Sequence, residues 1–198
     1  MRRLALPWQR ALAYAALTVA ALAPPLAANF RHLVSSPDAI SRAIYGLNPF
    51  VEAPRIADYL AARTQPDQRV FILGSEPEIL FHARRQSATR YIIFYPLTGP
   101  YKDVRKKQES VADELARNKP AYIVLMNLQT SLQRRHSTES FIFEHVRDLV
   151  RRDYQLDGFA MITGDGWRFV LGQKEVEADE KTLKESFPEI SIFRRKAG

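Results

Sequence analysis

The sequence predicts an α/β protein: an N-terminal transmembrane helix, then a Rossmann-like three-layer sandwich. Its sheet is expected to be mostly parallel, with a C-terminal antiparallel hairpin. Three observations carry this. Residues 11–30 are uncharged and follow a basic flank. Three continuous apolar segments alternate with helix-like ones, the pattern of a sheet covered on both faces. Thr163-Gly164-Asp165-Gly166 separates two strand-like segments near the end, a hairpin signal.

Residues 1–30 read as a membrane anchor with a basic cytoplasmic flank. About 20 apolar residues cross the hydrocarbon core, and residues 11–30 suffice, with Pro24-Pro25 near their far end. Arg2, Arg3 and Arg10 precede the run, whereas Arg31 and Arg42 beyond it are matched by Asp38 and Glu52. That asymmetry predicts a cytoplasmic N-terminus and an extracytoplasmic remainder at the plasma membrane. A signal peptide cleaved after Pro25-Leu26-Ala27-Ala28 is the competing reading, with Leu26 a poor fit at the −3 position. Both readings export residues 31–198.

Residues 31–52 form a connector, with turn signals at Ser35-Ser36-Pro37-Asp38 and Gly46-Leu47-Asn48-Pro49. The α/β domain covers 53–172. Residues 53–63 space Ile56, Tyr59, Leu60 and Arg63 as an amphipathic helix. Residues 69–74 form a buried strand closed by Gly74, 76–84 a short helix, and 90–95 a second strand stopped by Pro96. Residues 102–118 are a polar helix with the stripe Val104, Val111 and Leu115. Residues 120–126 are the third apolar strand. Ile142, Val146, Leu149 and Val150 share one face of a helix over 140–152, and the hairpin strands span 154–162 and 167–171. Residues 173–198 are a charged tail, read as a peripheral helix or a flexible end.

Apolar residues make up 46% and charged residues 26% of the chain, enough for one packed core. Cysteine is absent, which excludes disulfides and thiolate metal sites. The net charge of +7 arises before Gln173, since the remainder balances. Such a charge suits nucleic acid, a membrane surface or an anionic substrate. Export argues against nucleic acid. The basic clusters, among them Arg84-Arg85, Arg151-Arg152 and Arg194-Arg195-Lys196, read as a solvated surface or as contacts to lipid phosphates.

Gly74-Ser75-Glu76-Pro77-Glu78 lies at the carboxyl end of the first strand, where ligands of open α/β sheets gather. Ser75, Glu76 and Glu78 there could hold a sugar hydroxyl or an amine. Arg90 and Tyr95, the first and last residues of the second strand, complete the candidate binding set. The structural alternative is a capping box, Ser75-x-x-Glu78, with Pro77 in the first turn. No Gly-x-Gly-x-x-Gly, phosphate loop or Gly-x-Ser-x-Gly elbow occurs. His32, His82, His136 and His145 lack metal-ligand spacing. No catalytic residue, metal site or cofactor is assigned.

Several segments carry a family resemblance: Tyr45-Gly46-Leu47-Asn48-Pro49-Phe50-Val51-Glu52, Ile56-Ala57-Asp58-Tyr59-Leu60, Val70 through Ile79, Ala88-Thr89-Arg90-Tyr91-Ile92 with Tyr95-Pro96-Leu97, and Lys119 through Val124. Together they resemble the C-terminal end of bacterial GT-C type membrane glycosyltransferases of the protein-mannosyltransferase-like (dolichyl-phosphate-mannose) group. The resemblance covers residues 8 to about 172. It implies sugar transfer from a polyprenyl-phosphate carrier, with the catalytic acid in a membrane part that this sequence does not contain. The expected function is therefore a non-catalytic extracytoplasmic domain of, or accessory to, such an enzyme. Its partners would be membrane lipids, a multi-span glycosyltransferase subunit, and a glycan or polyprenyl-phosphate sugar. The alternative is an independent membrane-tethered or exported binding module for a glycan or cell-envelope ligand.

Overall fold

A computed structural model describes residues 7–179, 181, 183 and 186–197. The chain divides into two compact units, Met1–Gly46 and Leu47–Gly198. In the first, α1 (Pro7–Val34) includes Pro24 and Pro25 and has no buried residue. Its 28 residues extend about 42 Å at 1.5 Å each, beyond a hydrocarbon core of about 30 Å. Among the described residues it is the one helix long and apolar enough to cross a membrane. Such a helix serves as a single-pass anchor or as a signal sequence. Within the expected connector lies a second helix, α2 (Pro37–Tyr45), whose N-cap Ser36 accepts the Ala39 N–H at 3.3 Å. Gly46 ends it at φ 60°, a conformation glycine adopts without steric penalty.

The second unit runs α3 (Ala53–Ala61), β1 (Val70–Leu73), α4 (Pro77–Ala83), α5 (Tyr95–Thr98), α6 (Val104–Asn118), β2 (Tyr122–Met126), α7 (Gln129–Leu132), α8 (Phe141–Asp153), β3 (Tyr154–Thr163), β4 (Gly166–Leu171), α9 (Gln173–Ala178) and β5 (Ile190–Arg195). The five strands form one sheet in the order β1-β2-β5-β3-β4. Strand alternation sends Val70, Ile72, Tyr122, Val124, Ile190 and Ile192 to one face, against Ile56, Leu60, Ile79 and Leu80 of α3 and α4. Phe71, Leu73, Ile123 and Phe193 face the other way, against Val111 and Leu115 of α6 and Ile142, Val146 and Val150 of α8. Both faces are thus buried, which is why β1 reads as an unbroken apolar run.

The expectation of a mostly parallel Rossmann-like sheet is corrected. Only β1 and β2 pair in parallel; β2–β5, β5–β3 and β3–β4 are antiparallel. β5, assigned from sequence to the charged tail, inserts between β2 and β3. Burial on both faces produces continuous apolar strands whichever way the neighbour runs, so that pattern could not fix direction. The second expected strand, 90–95, is also absent. Beside β1 the chain makes a single parallel bridge, Val70 to Ser87. It is then drawn away, because the Arg90 N–H and guanidinium both bond Glu114 of α6. The hairpin is as expected, with Thr163 opposite Gly166.

Arg85 is not a solvated cation. Its guanidinium donates to the carbonyls of Ala61 and Thr64, the Thr64 hydroxyl and the carbonyls of Ala83 and Arg84. A planar fork of donors suits this task, tying the carboxyl ends of α3 and α4 together.

Candidate functional site

Two polar constellations lie at opposite ends of the sheet. The upper one begins where β1 stops. A Cβ on Gly74 would sit 2.3 Å from Glu76 Oε2 and 2.4 Å from Met126 Cγ, so glycine is what lets the Glu76 side chain fold back over the strand end. Glu76 is buried. The Ser131 hydroxyl donates to its Oε2 at 2.8 Å, while Ser131 Oγ accepts the Ser75 N–H at 3.1 Å. Ser75 Oγ accepts the Phe94 N–H at 2.9 Å. Burial pushes the Glu76 carboxyl up to about 7; the Ser131 hydrogen bond opposes this, nearby Glu78 adds to it, and the Ser75 backbone opposes it again. Burial raises Glu78 as well, against its own backbone N–H and His82.

Of the residues selected from sequence, Ser75, Glu76 and Tyr95 gather here, the last donating its hydroxyl to the Thr130 carbonyl at 3.1 Å. Glu78 follows in the first turn of α4. Arg90 is not with them, being paired with Glu114. The capping box does not form either. Glu76 occupies the N-cap position without a side-chain cap bond, and the Ser75 hydroxyl is spent on Phe94. Ser131, 56 positions from Ser75, had no sequence signal. Functionally this end is a latch joining the β1–α4 turn, the α5 start and α7.

The lower constellation surrounds Asp157. The β3–β5 register shifts between Leu156 and Gly158, leaving Asp157 as the extra residue of a bulge. Bulges re-aim side chains, and this one turns a carboxylate toward the α3 side of the sheet. The Tyr122 hydroxyl donates to Asp157 Oδ2 at 2.9 Å, and the Tyr59 hydroxyl lies 2.8 Å from both Oδ2 and the Asp157 carbonyl. Arg194 Nε stands 3.5 Å from Oδ1. Burial first, then the bond to Asp157, pushes both tyrosine hydroxyls above their ordinary range. They remain neutral donors.

Beside this network opens a hollow of about 620 Å³. Arg63, Arg69, Lys119, Arg194, Arg195 and Lys196 line it, against the single carboxylate of Asp67. Each cation sits at the end of an element. Arg63 follows α3, its guanidinium 3.8 Å above the Tyr59 ring. Lys119 ends α6 in the left-handed conformation at φ 41°. Arg194 and Arg195 end β5. Lys196 Nζ donates to the Arg151 and Arg152 carbonyls of α8, at the negative end of that helix. The triplet Arg194-Arg195-Lys196 was visible in the sequence, whereas Arg63, Arg69 and Lys119 are isolated cations that only the fold assembles. Chemically the cleft can hold an anion; among the described residues no group of three His, Asp or Glu side chains could hold a metal ion.

No curated protein and no solved structure matches the chain. Residues 51–155 match the family model described as "Putative competence-induced protein Ccs4 C-terminal domain". The match runs from just before α3 to the start of β3 and takes in more than half of the chain. It overturns the resemblance to GT-C type glycosyltransferases, because every segment that carried that resemblance, apart from most of 45–52, falls within the matched residues, and the matching family is a different one. The chain belongs to the family of the competence-induced protein Ccs4 C-terminal domain.

Proposed function

We propose that this chain is a membrane-tethered binding module, with its α/β domain on the outer side of the membrane and an anionic cell-envelope ligand held in the lower basic cleft. One observation carries the reading: six cations converge on a single hollow that holds one carboxylate. Lys119 and Arg195 there make no close salt bridge among the described residues, Arg195 acting on Asp153 only at longer range, and both side chains are exposed to a ligand. The accessory role beside a glycosyltransferase rested on the resemblance alone; the binding-module reading rests on residues of this chain. The family's description assigns neither a ligand nor a reaction.

The outward orientation is supported by Arg2, Arg3 and Arg10 before the uncharged run. Protease added to intact spheroplasts should digest the Leu47–Gly198 unit, and protection until lysis would reverse the orientation.

The cleft is tested with the full chain in detergent, using glycerol 3-phosphate, pyrophosphate and an uncharged maltooligosaccharide as probes in calorimetry. The two phosphates should bind and the neutral sugar should not. Lys119→Glu combined with Arg195→Glu should weaken phosphate binding at least about tenfold, since two attractive charges become repulsive at about 1 kcal/mol or more each. Both side chains are exposed, so the melting temperature should hold. Unchanged affinity in the double variant would sink the proposal.

A further inference from the structure

The basic cleft does not end at β1. A second hollow of about 630 Å³ adjoins it, sharing Arg69 and Asn118, and adds Arg90 and Arg117. Its one carboxylate, Glu114, is buried and already engaged by Arg90. On the β3 side a third hollow adjoins through Arg63 and Arg194, but Glu175 and Glu177 line it, so the positive field stops there. The basic surface is therefore a track with one closed end. It runs beneath β5, β2 and β1 and around the Ser87–Arg90 segment. Three steps at a strand spacing of about 4.8 Å give it a length of about 14 Å. That outreaches a single phosphate and suits a chain of charges.

Resting on the reading of the cleft as an anion site, we infer that its ligand is a linear anionic sugar or polyol polymer lying along both hollows from Arg195 and Lys119 to Arg117. What the track lacks defines the class. Among the described residues the only ring lining either hollow is Tyr122, which is 1% exposed and hydrogen-bonded to Asp157. Single-stranded nucleic acid is held by stacking bases on exposed aromatic rings, at about 1–3 kcal/mol per base, and the track offers no such platform. A base-free chain needs only spaced cations, and Arg69, Arg117, Arg195 and Lys119 are spaced along it singly. Guanidinium forks donate to phosphate and carboxylate oxygens alike, so poly(glycerol phosphate) and polygalacturonate are the two probes of this class.

Fluorescence anisotropy of the full chain in detergent, against chains of two and of eight repeats, tests the inference. At least one of the two polymers should gain tenfold or more in affinity from two to eight repeats. With about four charges neutralised, that affinity should fall about fiftyfold between 50 and 200 mM salt, by the single-strand counterion slope. Arg117→Glu should abolish the gain with length. Lys106→Glu makes the same charge change about 16 Å away along α6 and should leave the gain intact. An oligothymidylate of equal charge should bind at least tenfold more weakly than the favoured polymer. Binding of the short chains with no gain in length for either polymer would overturn the track and leave the single-anion cleft standing. Equal binding of oligothymidylate would overturn the base-free assignment. Failure of every anion to bind would remove the cleft reading itself.

Discussion

Replacing Asp157 with alanine should destabilise the protein by about 3 kcal/mol. The Tyr122 hydroxyl loses its acceptor, and a stranded buried hydroxyl costs about 1–3 kcal/mol. The Tyr59 hydroxyl keeps the Asp157 carbonyl at 2.8 Å but loses a charge-assisted partner. Arg194 is partly exposed and recovers most of its solvation, so its share is small. Asp157→Asn retains an acceptor oxygen and should cost about 1 kcal/mol. Tyr122→Phe should cost about as much, and should lower the penalty of Asp157→Ala when the two are combined, because no hydroxyl is then stranded. Guanidinium denaturation of the full chain in detergent reads all four variants. A cost below about 0.5 kcal/mol for Asp157→Ala, the size of an ordinary surface change, would show that the network does not anchor β3 and β5 to α3.

The second large effect depends on pH. Burial raises the Glu76 carboxyl from 4.5 to about 7, so the folded state holds that proton more tightly than the unfolded chain does. Its contribution is complete below about pH 4.5 and is lost as pH rises through about 7. At 1.36 kcal/mol per pH unit the loss reaches about 3 kcal/mol. Glu76→Gln keeps an oxygen for the Ser131 hydroxyl and removes the charge. Near pH 8 the variant should be the more stable protein by about 2–3 kcal/mol, and the two should converge near pH 4.5. Denaturation midpoints of both proteins from pH 4.5 to 8 give the difference directly, free of other titrating groups. A constant difference across that range would mean that Glu76 does not carry the pH dependence.

Local pattern made much of this fold legible. Ile142, Val146 and Val150 marked the buried face of α8, Val111 and Leu115 that of α6, and Gly164-Asp165 the turn between β3 and β4. β5 was not legible. Ile190-Ser-Ile-Phe is a short apolar stretch between charged flanks, and its place between β2 and β3 is decided by contacts with strands far away in sequence. The segment 90–95 failed for the opposite reason. Its aromatic and β-branched residues suit a strand, but Glu114, 24 positions on, takes the Arg90 N–H that a strand would have offered to β1.

The candidate sites divide in the same way. Gly74, Ser75 and Glu76 are contiguous, and their position at a strand end drew attention to them. Their partner Ser131 is an unremarkable serine until α7 brings it to 2.8 Å from Glu76. Tyr59 and Asp157 are 98 positions apart, and the bulge that joins them arises from β3–β5 pairing that the sequence left hidden. In the sequence Arg63 closes an amphipathic helix, Arg69 opens a strand and Lys119 follows a polar helix, and nothing local marks the three as neighbours.

The most direct test of a basic cleft as the binding site is to see where an anion settles. Crystals of the full chain soaked in tungstate, an electron-dense stand-in for phosphate, would show this by anomalous scattering. Density is expected between Lys119 and Arg195, within hydrogen-bonding distance of at least one of them, and should be lost in the Lys119→Glu, Arg195→Glu variant. Tungstate bound elsewhere, with the cleft empty at concentrations that saturate the protein, would contradict it.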